Sequence, residues 1–315
     1  MSPAPIALVT RLDAAADEAW LATLSKALAG ENVVPLRAIE PELRAAVEIA
    51  IVADPDPADL AGLMGLRWVH SLWAGVERLV AELGADAPPI VRLVDPELAR
   101  TMAEAALAWT YYLQRDMPAY AAQQRRGVWR PLDYRPPFHV TVALLGLGAL
   151  GRAAAARLGD AGFVVRGWSR SPKALAGVET FSGEAGLDEC LAGADIVICL
   201  VPLTPDTRGL MNAERFSSMK PGAALVNFAR GPIVVVDDLL AALDQGRLSH
   251  AVLDVFDVEP LPASSPLWSH DRVTVLPHVS GPTDRDSAAA IVAANVRAYR
   301  QTGAVPAVVD RVRGY

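Results

Sequence analysis

The chain has 315 residues, 52% of them apolar and 21% charged, with a formal net charge of −7. That length suits two domains with sizeable cores, and the acidic balance argues against nucleic acid as the main partner, since phosphate binding wants a basic face. No apolar run approaches the roughly 20 residues of a membrane span, Met1-Ser2-Pro3-Ala4-Pro5 lacks the pattern of a secretory signal, and Cys190 and Cys199 read as buried reduced thiols, so a cytoplasmic protein is expected.

Residues 6–10 read as an opening strand and 14–28 as a helix ended by Gly30. Strands at 48–53, 67–71 and 91–93, with a short helix at 58–64, continue the alternation that marks an α/β domain with a parallel sheet. Ser71-Leu72-Trp73-Ala74-Gly75-Val76-Glu77 turns from strand into helix and gathers several backbone amides, an arrangement that can hold a carboxylate or be an ordinary turn. From Pro96 to about Gln124 one long helix is predicted, with Trp109, Tyr111, Tyr112, Leu113, Met117 and Tyr120 around much of its circumference. An apolar surface that wide calls for burial on most sides, as a connector between domains and a subunit contact, or as a core helix.

The stretch 140–171, VTVALLGLGALGRAAAARLGDAGFVVRGWSRS, organises the rest. Residues 140–145 are a buried strand, 152–158 belong to an alanine-rich helix, and 163–168 form the next strand. Between strand and helix lies Gly146-Leu147-Gly148-Ala149-Leu150-Gly151, the G-x-G-x-x-G pattern of a dinucleotide site. Its glycines serve a tight turn, a close backbone approach to pyrophosphate and helix-on-strand packing, and the free helix amides face the anion. An NAD site usually ends the second strand with an acid that binds the ribose hydroxyls. Here Trp168-Ser169-Arg170-Ser171-Pro172-Lys173 offers cations and hydroxyls instead, which suits the 2′-phosphate of NADP.

Further strands are predicted at 195–200, 223–228, 251–255 and 272–276, with a loop at 202–207 and a helix capped by Asp237 or Asp238 and closed by Gly246. Ligands of open α/β sheets bind outside the carboxyl ends of the strands. The last three strand ends carry Ala229-Arg230-Gly231, Phe256-Asp257-Val258-Glu259-Pro260 and Pro277-His278. An arginine, a carboxylate and a histidine thus meet on one rim, whereas His70, His139, His250 and His270 lack such company and are expected to be structural or exposed.

With these motifs in place, the chain resembles the D-2-hydroxyacid dehydrogenase family along nearly its whole length, through LLGLGALGRAAAARL, Leu203-Thr204-Pro205, VNFARG, LDVFDVEP, LPHVSG and SLWAGVE. Within the family it is most similar to the glyoxylate/hydroxypyruvate reductase A branch, through LRWVHSLWAGVE, WSRS, SPLWSHDRV and the closing DRVRGY. The resemblance implies two Rossmann-like α/β domains with parallel sheets, a coenzyme domain (99–283) inserted into a discontinuous substrate domain (1–98 and 284–315). A homodimer is expected from the apolar excess of the 96–124 helix around Trp109 and Tyr112, and the expected cofactor set is Gly146, Gly148, Ala149, Leu150, Gly151, Trp168, Ser169, Arg170, Ser171, Pro202, Thr207, Ala229 and Asp254, the last placed on the nicotinamide carboxamide by the resemblance. Trp73 stands where many relatives have a small residue, and Glu77 where aspartate is common.

The expected chemistry is NADPH-dependent reduction of small 2-oxo acids to D-2-hydroxy acids by direct hydride transfer, with NADH a weaker cofactor and no metal required. Arg230 would hold the substrate carboxylate and polarise the carbonyl oxygen, helped by the Trp73 loop and its Ala74, Gly75 and Val76 amides. His278 would protonate that oxygen, and a hydrogen-bonded carboxylate, Glu259, would favour its protonated form. The alternatives are an NAD-linked D-lactate or phosphoglycerate-type dehydrogenase, and a dinucleotide-sensing corepressor with little turnover. Neither membrane nor nucleic acid enters.

Overall fold

A computed structural model describes residues 4–84 and 87–311. Met1 to Pro3 of the N-terminal stretch, and Val312 to Tyr315 of the closing DRVRGY motif, lie outside the described residues. The chain forms two compact units, one from residues 1–97 with 283–315 and one from residues 98–282.

The first unit holds a five-stranded parallel sheet made of β1 (Pro5–Thr10), β2 (Asn32–Pro35), β3 (Ile49–Ala53), β4 (Trp68–Ser71) and β5 (Ile90–Val91), in the order β2-β1-β3-β4-β5. Both faces of the sheet are covered. Ile6, Leu8, Ile49, Ile51 and Trp68 pack in one cluster with Val292 and Val296, while the alternating Ala7, Val9, Ala50, Val52 and Val69 pack in another. This is the two-sided burial that makes parallel strands read as unbroken apolar runs. Helix Ala14–Ala27 starts where the Asp13 carboxylate accepts the Ala16 N–H at 2.8 Å. Helix Arg285–Thr302 is capped the same way by Asp284, which accepts the Ser287 N–H, and it ends at Gly303 with φ +70°.

The second unit holds a seven-stranded parallel sheet: β6 (Thr141–Leu145), β7 (Val164–Ser169), β8 (Glu179–Ser182), β9 (Ile196–Cys199), β10 (Ala223–Asn227), β11 (Leu248–Leu253) and β12 (Val273–Val275). Their order is β12-β11-β10-β9-β6-β7-β8, so the sheet winds outward from β6 in both directions. Leu145 at the end of β6 pairs with Trp168 of β7 and Cys199 of β9, and this reversal of strand order opens the crevice in which doubly wound sheets take their ligands.

Several elements depart from the expected pattern. The stretch 96–124 is two helices, Pro96–Gln114 and Met117–Arg125, separated by Asp116 in the left-handed region with φ +54°. Pro118 cannot donate to the Gln114 carbonyl, which ends the first helix. That helix buries Leu98, Met102, Ala103, Ala106, Thr110 and Gln114, a single stripe along one face, and Tyr111, Met117 and Tyr120 remain exposed rather than enclosed. Asp237 and Asp238 lie inside the first turn of helix Val236–Asp244, whose cap position is Val235, and Asp238 accepts the Ala213 N–H instead. Strands β2 and β8 answer to no predicted element, because NVVP and ETFS are short and weakly apolar. No helix among the described residues is long and apolar enough to cross a membrane.

Candidate active site

The glycine turn after β6 has three different geometries. Gly146 has φ +113° and lies so close to the Leu200–Val201 backbone that a Cβ would meet it, while its N–H donates to the Trp168 carbonyl at 2.8 Å. Gly148 caps helix Ala149–Asp160, and a Cβ there would meet nothing within 4 Å. A Cβ on Gly151 would collide with the Gly146 carbonyl oxygen. One glycine makes the turn, one leaves open space before helical amides, and one lets the helix close on the turn. The residues present therefore fit a dinucleotide pyrophosphate, with the amides around Ala149 and Leu150 as donors.

At the end of β7 the expected phosphate-binding groups divide. The Trp168 indole is buried and donates to the Gly183 carbonyl at 2.7 Å, so it forms part of the core and offers no ring to a ligand. The Ser169 hydroxyl is buried and donates to the Ser171 carbonyl at 2.8 Å. Lys173 donates to the Leu147 carbonyl of the glycine turn at 3.1 Å. Arg170 and Ser171 stay exposed, and Arg170 is paired with Asp206 of the 202–207 loop at 3.4 Å. Thr207 ties that loop together, donating to the Pro202 carbonyl at 2.6 Å and accepting the Thr204 N–H at 2.8 Å.

Arg230, Glu259 and His278 follow β10, β11 and β12, which are consecutive in the sheet. Asn227, which sequence reasoning passed over, shapes the first of these loops. Its side chain accepts the Ala229 N–H at 3.1 Å and donates to the Arg230 carbonyl at 2.9 Å, a pairing that an asparagine closing a strand could have suggested. A Cβ on Gly231 would collide with the Phe256 backbone, so the arginine loop lies directly against the one leading to Glu259. Glu259 accepts the Phe256 N–H through Oε1 at 2.8 Å, and its Oε2 lies 2.8 Å from His278 Nδ1. A carboxylate can only accept, so Nδ1 carries a proton and Nε2 is left as the nitrogen that can pass one to a ligand.

His278 has φ +53°, a conformation that needs support in a residue with a side chain. Asp254 supplies it: the buried carboxylate accepts the Val279 N–H at 2.8 Å and the Ser280 N–H at 3.0 Å. Its observed contacts thus hold the histidine loop, a part that the expected carboxamide contact did not include.

The first unit carries the other candidate group. Trp73 is half-buried, packing partly against that unit's own core, and its backbone carbonyl accepts the Leu93 N–H at 3.1 Å. Val76 is buried, and among the described residues the amides of Ala74, Gly75 and Val76 donate no hydrogen bond. Of the remaining histidines, His70 and His250 are buried, and burial pulls each down to about 4. His139 is exposed, and His270 faces Asp244 at 3.2 Å. Both cysteines are buried, which pushes their thiols up to about 12 and leaves them unreactive. A cavity of about 600 Å³ in the second unit is lined by Val140, Asp195, Ala224, Ser249 and Arg272, residues at the strand starts, and so lies at the opposite end of the sheet from the loops that carry Arg230, Glu259 and His278.

Comparison with known proteins agrees with this geometry. Residues 107–280 match the family model "D-isomer specific 2-hydroxyacid dehydrogenase, NAD binding domain". The chain is 40% identical to glyoxylate/hydroxypyruvate reductase A of Serratia proteamaculans, covering 95% of this chain and 96% of that one, and 36% identical to the Yersinia enterocolitica protein of the same name, covering 94% and 96%. Among solved structures, a D-isomer specific 2-hydroxyacid dehydrogenase from Xanthobacter autotrophicus in complex with NADPH and MES superposes with a TM-score of 0.91 at 40% identity over all of both chains. An NADPH-dependent glyoxylate/hydroxypyruvate reductase from Sinorhizobium meliloti, in complex with NADP and sulfate, gives 0.87 at 33% identity over 99% of this chain and 100% of that one.

Proposed function

The chain belongs to the D-isomer specific 2-hydroxyacid dehydrogenase family, and from that premise we propose that it reduces small 2-oxo acids, glyoxylate and hydroxypyruvate foremost, to D-2-hydroxy acids with NADPH. The observation that carries the proposal is the Glu259–His278 contact on the rim that also bears Arg230. A sensing module has no use for an oriented proton donor on the same sheet rim as an arginine. The names of the relatives at 36–40% identity support the substrate class, and the NADPH complex at 40% identity supports the cofactor.

In this proposal residues 98–282 take the cofactor and residues 1–97 with 283–315 the greater part of the substrate contacts. The Gly146–Gly151 turn and the amides of Ala149 and Leu150 would hold the pyrophosphate, Arg170 and Ser171 the 2′-phosphate, and Pro202, Thr207 and Ala229 the cofactor's flank. Asp254 would reach the carboxamide with the lone pairs not used by Val279 and Ser280. Bound there, NADPH supplies the hydride. Arg230 would bind the substrate carboxylate and draw charge from the carbonyl oxygen, and the Ala74, Gly75 and Val76 amides would take the second carboxylate oxygen. His278 would give its Nε2 proton to the carbonyl oxygen as it gains negative charge, while Glu259 steadies the imidazolium. NADPH consumption with a panel of 2-oxo acids tests the whole. Turnover of glyoxylate or hydroxypyruvate is expected, and tight NADPH binding without turnover of any 2-oxo acid would favour a sensing role.

A homodimer and a cytoplasmic location belong to the same proposal. Met117, Tyr120, Trp129, Tyr134 and Phe138, all from the 117–138 stretch, are exposed, Trp129 completely, and exposed apolar groups of this size would suit an association surface. Light scattering should give twice the chain mass.

A further inference from the structure

His70 is the last residue but one of β4, and no step described above uses it. The ring is fully buried. Nδ1 lies 2.9 Å from the carbonyl of the next residue, Ser71, and Nε2 lies 2.9 Å from Nδ2 of Asn295. A carbonyl accepts and an amide nitrogen donates, so one neutral tautomer satisfies both contacts, with Nδ1–H donating and Nε2 accepting. Burial brings the ring down to about 4, which keeps it in that state near neutral pH.

Two rungs join this strand to helix Arg285–Thr302. Trp68 and His70 alternate along β4 and so share a face, and Asn295 and Tyr299 are one turn apart on the helix. Trp68 meets Tyr299 edge-on at 5.5 Å between ring centroids, and His70 meets Asn295 by its hydrogen bond. An apolar residue could fill the second rung without the cost of desolvating an imidazole. The polar rung instead sits at the exit of the strand. There His70 engages the Ser71 carbonyl, the Ser71 hydroxyl accepts the Trp73 N–H at 3.0 Å, and Leu72 N–H donates to the Val52 carbonyl at 2.8 Å. After these anchors come the three amides, for which the described residues supply no acceptor.

We propose that His70 is a positioning residue for the carboxylate loop, holding the Ser71 carbonyl against a ring fixed by Asn295 and so setting the direction in which the Ala74, Gly75 and Val76 amides are presented. It touches no substrate, and the proposal rests on the carboxylate role given to those amides above.

Two near-isosteric variants of the full chain separate the ring's contacts. His70→Asn keeps an amide nitrogen near the Nδ1 position and loses Asn295, whereas His70→Gln reaches Asn295 and loses the donor to Ser71. Hydrogen exchange at the Leu72 and Trp73 amides is read without substrate, and steady-state glyoxylate reduction is read at saturating NADPH. His70→Gln should lose protection at both amides and raise KM about 2- to 10-fold, the effect of one ordinary hydrogen bond, with little change in kcat. His70→Asn, which keeps the donor to Ser71 and loses only the contact that fixes it, should show a distinctly smaller change in both readouts. Unchanged protection in a folded His70→Gln protein, or equal damage in both variants, overturns the proposal. Lost protection with unchanged KM upholds the positioning role and removes the carboxylate role of the loop. Should His70→Gln fail to fold, Asn295→Ala takes its place, with protection at Leu72 and Trp73 expected to fall and an unchanged value overturning the proposal.

Discussion

The carboxylate of Asp254 accepts the backbone N–H of Ser280 at 3.0 Å, and through that bond and its neighbour at Val279 it holds the left-handed turn that carries His278. An aspartate present solely to bind a carboxamide would leave the protein's stability untouched when removed. Asp254→Ala should instead destabilise the cofactor-free protein by about 1–3 kcal/mol, the cost of stranding a buried donor, and lower kcat besides. Denaturant unfolding without NADPH checks this, and wild-type stability would return Asp254 to a purely cofactor role.

The glycines make opposite predictions. Gly151→Ala drives a methyl into the Gly146 carbonyl and should reduce stability together with binding. Gly148→Ala meets nothing in the protein and should fold normally, yet bind NADPH poorly, because its methyl stands in the space where a pyrophosphate approaches. Thermal melts beside NADPH fluorescence titrations distinguish the two, and normal binding by Gly148→Ala would move the pyrophosphate elsewhere.

Cofactor preference should rest on Arg170. A charge-assisted hydrogen bond contributes about 1.5–3 kcal/mol, and exposure favours the lower end, so Arg170→Ala should weaken NADPH by about 10-fold with NADH little affected. Asp206 now pairs with that guanidinium and competes with a phosphate for it. Asp206→Asn should therefore tighten NADPH by a few-fold at low salt, an advantage that fades as salt screens it. Equal losses of both cofactors in Arg170→Ala would remove the phosphate contact.

Acid stability follows from two buried histidines. His70 and His250 are lowered by burial to about 4 from an ordinary value of 6.5. The unfolded chain takes up these protons first, so the stability they allow is complete above pH 6.5 and is lost as pH falls toward 4. Each can account for on the order of 3 kcal/mol across that window. Chemical denaturation at intervals between pH 7 and 4 should show the decline, and His250→Gln should flatten part of it. A stability independent of pH over this range would contradict the burial of both rings.

The chain announces its chemistry where strands end. VALLGLGALG, VNFARG, LDVFDVEP and LPHVSG each place an apolar run before a residue that only a loop could use, and all four lie at strand ends of the second sheet. Partners distant in sequence were not legible. Asn295 is 225 residues from His70, and nothing in AANVRAYRQ marks one asparagine as hydrogen-bonded to a strand residue. Asp254 was visible as an acid after a strand, but its use depends on the left-handed backbone at His278, which a histidine does not advertise. The break at Asp116 was obscured because the apolar and aromatic residues continue across it.

The most direct test of the central claim is the pH dependence of kcat/KM for NADPH-driven glyoxylate reduction in wild type and Glu259→Gln. Glutamine keeps the shape and can still accept from Nδ1–H, but it removes the negative charge 2.8 Å from the ring. Loss of that charge disfavours the imidazolium, and reduction needs the imidazolium as proton donor, so activity should fall at a lower pH than in wild type. The basic limb should be displaced toward acid, with NADPH affinity unchanged. A basic limb at the wild-type position, with normal NADPH binding, would show that Glu259 does not govern the proton on His278 and would contradict the catalytic assignment.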